Sequence, residues 1–116
     1  MISQTDAHKR GKASRDKGAR AERELAKILS EGLGMEIRRG QVFNKEPDLV
    51  GLEGVHAEVK RQERINIHEA IKQALNAAET RKDGIPVVFF RRDHGEWFTV
   101  MRLSDWMDYY GRKHER

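Results

Sequence analysis

The sequence predicts one α/β domain with a central mixed five-stranded sheet flanked by helices, in the order αβββαββα. Three observations carry that reading. Segments 14–34 and 66–81 repeat apolar residues at helical spacing, residues 46–60 alternate about a glycine-bearing turn, and Val87 to Phe90 form an unbroken apolar run of strand length.

The first helix is expected to start near Ser14 or Asp16, either of which can cap it, and to end around Gly32 to Gly34. Ala21, Leu25, Ile28, Leu29 and Leu33 fill one arc of its surface, and Glu22 falls inside that arc. An acid aimed at a core is costly unless paired, so Glu22 asks either for a function or for an arginine of the sheet. Met35 to Arg39 follows as a short strand carrying Arg38 and Arg39. Gly40 to Lys45 is a loop, polar apart from Val42 and Phe43, expected to be mobile and near the substrate. Phe43 reads more readily as a packed loop anchor than as a wedge or base-stacking group.

Residues 46–60 form a tight hairpin. Pro47 sets an extended entry, Leu49 and Val50 make one arm, Gly51 to Gly54 supply the turn, and Val55 to Lys60 make the other arm. At period two, Val55, Ala57 and Val59 share one face while His56, Glu58 and Lys60 share the other, with Asp48 close by on the partner arm. Two carboxylates held together repel unless a cation neutralises them, and hard oxygen donors suit Mg²⁺ or Mn²⁺. Lys60 beside such an ion could stabilise charge on a phosphate or orient and deprotonate water.

Beyond a polar connector, Asn66 and Glu69 fit a capping-box variant for a second helix that buries Ile67, Ala70, Ile71, Ala74, Leu75 and Ala78. Gln73 lies off that stripe, on a solvated flank from which it could still reach the site. Val87 to Phe90 is a central strand buried on both faces, and Trp97 to Met101 is the next strand. A last helix, Leu103 to Tyr110 with Ser104 at its cap, is expected to bury Leu103, Trp106, Met107 and Tyr110.

Charge is placed unevenly. The first 23 residues hold seven Lys or Arg against three acids, which accounts for the whole net charge of +4. A basic segment of that kind, Lys12 and Lys17 included, is the footprint of an arm that contacts a polyanion. Residues 1–16 are therefore expected to be a flexible basic arm, 17–111 the folded domain, and 112–116 a frayed basic tail. There is no cysteine, hence no disulfide and no zinc-thiolate site. No apolar run approaches the roughly 20 residues that span a bilayer, and no signal-peptide pattern opens the chain. The expectation is a soluble cytoplasmic protein of a prokaryote or a phage-infected cell, with no membrane partner.

With Glu22, Pro47-Asp48 and Glu58-Val59-Lys60 in this order of elements, the chain resembles the PD-(D/E)XK nuclease superfamily, and within it the archaeal and phage Holliday junction resolvases. Gly18 to Leu25 is similar to that family's first helix, where the matching glutamate is catalytic and the arginine beside it contacts DNA. Arg38 or Arg39 matches its basic strand residue, Asp48 its metal aspartate, and Glu58 and Lys60 its active-site pair. Residues 41–46 replace the serine-bearing loop usual before the aspartate, and the hairpin is shorter.

The resemblance implies a restriction-endonuclease-like fold and metal-dependent hydrolysis of DNA phosphodiesters. Asp48, Glu58, the backbone carbonyl of Val59 and Glu22 would hold one or two Mg²⁺, with Mn²⁺ as a substitute, and Glu22, Asp48, Glu58 and Lys60 would be catalytic. Arg20, Arg23, Arg38, Arg39, Lys45, Lys12 and Lys17 would contact DNA phosphates, recognising a branched shape over a sequence. Paired nicks in a four-way junction imply a C2 homodimer. Cleavage of flaps or ends, and a non-catalytic DNA-binding module, remain as other readings, and the roles of His56 and His68 stay open.

Overall fold

The computed structural model describes residues 4–114. Five strands, β1 (Arg38–Arg39), β2 (Leu49–Val50), β3 (Val55–Arg61), β4 (Ile85–Arg91) and β5 (Phe98–Val100), lie side by side in chain order. The expected hairpin is the β2–β3 pair, antiparallel with Leu49 opposite Ala57, and β1 extends it with Arg39 opposite Leu49. Helix α2 (Ile67–Arg81) then carries the chain back so that β4 runs parallel to β3, with Ala57 beside Val87 and Glu58 beside Val88. A parallel neighbour needs such a crossover, and the apolar run of β4 suits a strand covered on both faces. β5 closes the sheet as an antiparallel edge.

Alternation along β3 and β4 divides the core in two. Ala57, Val59, Val87 and Phe89 face Ala21, Leu25 and Ala26 of α1 (Gln4–Leu33), together with Ile37 and Leu49. Val88 faces Ala70 and Ala74 of α2. Alanines along that stripe let the α2 backbone sit close to the sheet. The helix starts as expected, with the Asn66 side chain accepting from the Glu69 N–H at 3.0 Å. Glu58, beside Val88, consequently lies on the α2 side, under the C-terminal half of the helix.

Three expectations about element ends are corrected. α1 begins at Gln4, not near Ser14 or Asp16, so residues 4–16 continue the helix instead of forming a separate arm. They contain no proline and several good helix formers, and Gly11 and Gly18, each worth about 1 kcal/mol against the helix, do not stop it. The long helix helps to stretch the molecule to 62 × 30 × 28 Å. The strand expected from Met35 shrinks to Arg38–Arg39, because Gly34 turns at φ +64° and Met35 N–H still bonds back to the Ser30 carbonyl.

The third correction concerns α3 (Leu103–Lys113), which is capped by Arg102, not Ser104. Leu103, Trp106, Met107 and Tyr110, expected to be buried, are exposed, Leu103 by 71%. The buried residue is Asp105, held by Arg102 Nε at 2.9 Å. Asp105 lies roughly opposite the apolar stripe on a helical wheel, so docking through it rolls the stripe outward. The helix runs to Lys113, which places residues 112–113 in it and not in a tail. Residues 1–3 of the expected arm and 115–116 of the expected tail lie outside the described residues. Among the described residues no helix is long and apolar enough to cross a membrane.

Candidate active site

The hairpin register builds the centre of the site. With Leu49 opposite Ala57, antiparallel pairing places Asp48 directly across from Glu58, and directly opposed side chains share a face. Asp48 is fixed by its own backbone surroundings: its Oδ2 accepts from the Val59 N–H at 2.8 Å. Glu58 is held against Asp48 and partly buried, and its carboxyl is pushed up to about 7, first by burial and then by the charge and hydrogen bond of Asp48, with His56 opposing. From α1, Glu22 reaches the same carboxylate group. Burial and the Asp48 charge raise it, while an ion pair with Arg39 at 3.0 Å pulls the other way. Glu22 thus has its sheet arginine, and it stands within electrostatic reach of Asp48.

Two opposed carboxyls that resist ionisation together are the donor set expected for a hard divalent cation. Among the described residues no three His, Cys, Asp or Glu side chains converge as a ready ligand group. The reason is local: Arg39 draws Glu22 aside and His56 holds Glu58. What fits a cation is the Asp48–Glu58 pair, with Glu22 on its flank.

His56 is 2% exposed and bonded at both ring nitrogens, Nε2 to Glu58 Oε1 at 2.7 Å and Nδ1 to Asp83 at 2.8 and 2.9 Å. His56 therefore bridges two acidic side chains, Asp83 at Nδ1 and Glu58 at Nε2. It is the middle of an Asp83–His56–Glu58 chain of contacts. Asp83 is the member sequence reasoning missed. It follows the left-handed Lys82 cap of α2 and belongs to no motif.

A cleft of 670 Å³ opens over this group, lined by Asp48, His56, Glu58, Val42, Lys45 and Arg81 among others. Lys60, two residues beyond Glu58 on the same face, lines a different cavity of 170 Å³ together with Gln73, and the two linings share no residue. The stripe-flanking Gln73 therefore stands near Lys60. His68 is exposed on α2.

The basic residues divide into two sets. Arg39 pairs with Glu22, Arg38 with Glu46 at 3.0 Å, and Lys17 with Asp93 at 2.8 Å, so these three are engaged within the protein. Lys12, Arg20, Arg23 and Lys45 are exposed.

The loop before Asp48 is packed against its own ends. Gly40 donates to the Asp48 carbonyl at 2.9 Å, and a Cβ added at Gly40 would stand 1.7 Å from the Pro47 carbonyl oxygen. Backbone cannot yield as a side chain does, so Gly40→Ala should displace Pro47 and Asp48. The expected result is a loss of about 2 kcal/mol or more in urea denaturation, together with cleavage reduced at least tenfold. Stability within 0.5 kcal/mol of wild type would show that the approach is not needed, taking about that value as the usual spread of harmless changes.

No curated protein matches the chain. Residues 13–114 match the family described as "Phage putative PDDEXK endonuclease", which takes in α1 from its middle, the hairpin with Asp48, Glu58 and Lys60, and both later helices. With that match over most of its length, and with an αβββαββα domain whose hairpin opposes the two acids ahead of the lysine, the chain belongs to the phage PDDEXK endonuclease family.

Proposed function

We propose that this endonuclease is divalent-metal dependent and cuts branched DNA, resolving four-way junctions by paired nicks as a C2 homodimer. The observation that carries the metal dependence is the Asp48–Glu58 pair, opposed across the hairpin, with Glu58 pushed up to about 7 first by burial and then by the charge of Asp48. Asp48 and Glu58, with the Val59 carbonyl and with Glu22 from α1, would hold Mg²⁺ or Mn²⁺. The ion supplies Lewis acidity to the attacking water and to the leaving oxygen.

The chain's own residues do the rest. His56, held by Asp83, fixes the Glu58 carboxylate through Nε2. Lys60 places a positive charge beside the phosphate and orients the water that attacks phosphorus. As the water oxygen bonds to phosphorus it gives up a proton to solvent, the bond to one bridging oxygen breaks, and that oxygen leaves with a proton from solvent. Lys12, Arg20, Arg23 and Lys45 are exposed to contact phosphates, and contacts of that kind favour shape over sequence. The junction preference rests on the resemblance to resolvases. Two symmetric nicks need two sites in fixed relation, which is why the reading includes a homodimer.

The test is cleavage of a labelled four-way junction beside linear duplex and flap substrates, in Mg²⁺ or EDTA, by wild type and Asp48→Asn. Paired nicks on the junction, lost in EDTA and in the variant while binding persists, are expected. Cleavage of flaps or ends without junction preference would move the substrate class and keep the site. Cleavage that survives EDTA would overturn the metal dependence.

A further inference from the structure

We infer that the turn at Val42–Phe43 inserts between unstacked bases of the DNA held at the active site. The inference rests on the endonuclease reading and names what the enzyme does to its substrate. Val42 is 85% exposed and Phe43 82% exposed, the two most exposed large hydrophobic residues among those described. The expectation that Phe43 packs as a loop anchor is therefore corrected: it anchors nothing in its own chain.

The turn is nevertheless strongly tied. Residues 42–44 form a 3₁₀ turn closed by the Lys45 N–H on the Val42 carbonyl at 2.9 Å. The Asn44 and Glu46 N–H groups both return to the Gln41 carbonyl, and Glu46 Oε1 accepts from the Gln41 N–H at 3.0 Å. Arg38 grips the Glu46 carboxylate, and Arg81 of α2 donates to the carbonyls of Asn44 and Lys45 at 3.3 and 2.8 Å. A loop expected to be mobile is thus a fixed projection whose tip is two adjacent apolar side chains. Holding such a tip in water is unfavourable unless something covers it.

Position and charge select the occupant. Val42 lines the same cleft as Asp48 and Glu58, and the chain from Phe43 to Asp48 spans at most about 18 Å. Six residues, Phe43 to Asp48, make the five steps of that span, and along one DNA strand it is within about five base steps. Exposed Lys45 stands on the same cleft and brings positive charge to a backbone passing the tip, while Arg81 is paired with Asp83 at 3.2 Å and braces the loop. An apolar wedge beside a lysine, a few nucleotides from the cleaved phosphate, fits a nucleobase step that is already weakly stacked. Four-way junctions and flaps offer such steps at the branch point, whereas linear duplex must be unstacked first. The same tip would therefore bias the enzyme toward branched DNA without reading sequence.

The test places 2-aminopurine singly at positions within five nucleotides of the cut, in a junction and in linear duplex. Fluorescence is read on binding in an Asp48→Asn background, so that nothing is cleaved. The expected result is a several-fold change at one or two junction positions, removed by Phe43→Ala and retained by Phe43→Trp, with junction affinity weakened on the order of tenfold by the alanine. Because Phe43 is exposed, truncation should leave thermal stability unchanged. An aminopurine signal indifferent to Phe43→Ala while binding persists would overturn the inference and leave the nuclease reading intact. The Phe43-dependent signal in a protein that cleaves nothing would do the reverse. A dimer dissociated by Phe43→Ala, seen by light scattering, would make the tip a subunit contact and also overturn it.

Discussion

Glu58→Gln should lower cleavage at least about a hundredfold, the order seen when one electrostatic group of a preorganised site is removed, and should at the same time stabilise the metal-free protein above pH 7. Both effects come from the same carboxyl. In the folded protein Glu58 is raised to about 7, against an ordinary value of 4.5, first by burial and next by Asp48. Between those pH values the folded chain keeps a proton that the unfolded chain has released. Stability contributed by the neutral form is complete below the unfolded value and is lost as pH rises through the folded one. The loss is on the order of 1–3 kcal/mol for a group of this burial. Glu22 is raised as well and adds to the same slope. A glutamine keeps the shape and cannot ionise, so in EDTA the variant should show a flatter stability profile from pH 5 to 8 by urea denaturation. A divalent cation should restore wild-type stability at pH 8 and do little for the variant. An unchanged pH slope in Glu58→Gln would mean that burial and the charge of Asp48 do not hold a proton on Glu58 in the folded protein.

How much of this could be read from sequence depends on the range of the interaction involved. The hairpin was legible because period-two alternation and its turn glycines are local, and once the register is fixed Asp48 must oppose Glu58. The β4 run was legible for the same reason, and so was the α2 stripe through Ala70, Ala74 and Ala78, although Ile67, expected to be buried with them, is exposed at the first turn. The outward roll of α3 was not, because periodicity identifies an apolar stripe without saying whether anything covers it. There the buried side is that of Asp105, whose carboxylate is held by Arg102 at the start of the same helix. The start of α1 was misplaced because Ser14 and Asp16 look like caps, although a helix already running passes through them. Phe43 was assigned to packing on the usual behaviour of aromatics, and only the hydrogen bonds that hold residues 41–46 show that its exposure is built in. Asp83 could not be found at all. It meets His56 across 27 positions of chain, and no spacing rule links the end of α2 to the face of β3.

That contact makes the second large effect specific. His56→Asn should reduce cleavage by about 10- to 100-fold, the range for groups that orient a metal ligand, while His56→Gln should stay within a few-fold of wild type. The two amides divide the imidazole between them. Asparagine can replace Nδ1 and keep the Asp83 contact, yet it cannot reach Glu58. Glutamine extends to the position of Nε2 and can donate to Glu58 Oε1, while giving up Asp83. If His56 served only to fill and satisfy the interior, each variant would lose one hydrogen bond and the two would be alike in both stability and activity, at about 1 kcal/mol each. If it positions Glu58, activity follows the retained Glu58 contact and not the stability loss. Titration of Mn²⁺ into the metal-free proteins gives a readout apart from turnover, since affinity should fall in His56→Asn and persist in His56→Gln. Asp83→Asn, which keeps the ring in place with a weaker acceptor, should fall between them. Equal cation affinity and equal cleavage in all three variants would reduce the Asp83–His56–Glu58 chain to a buried hydrogen-bond network without a part in the site.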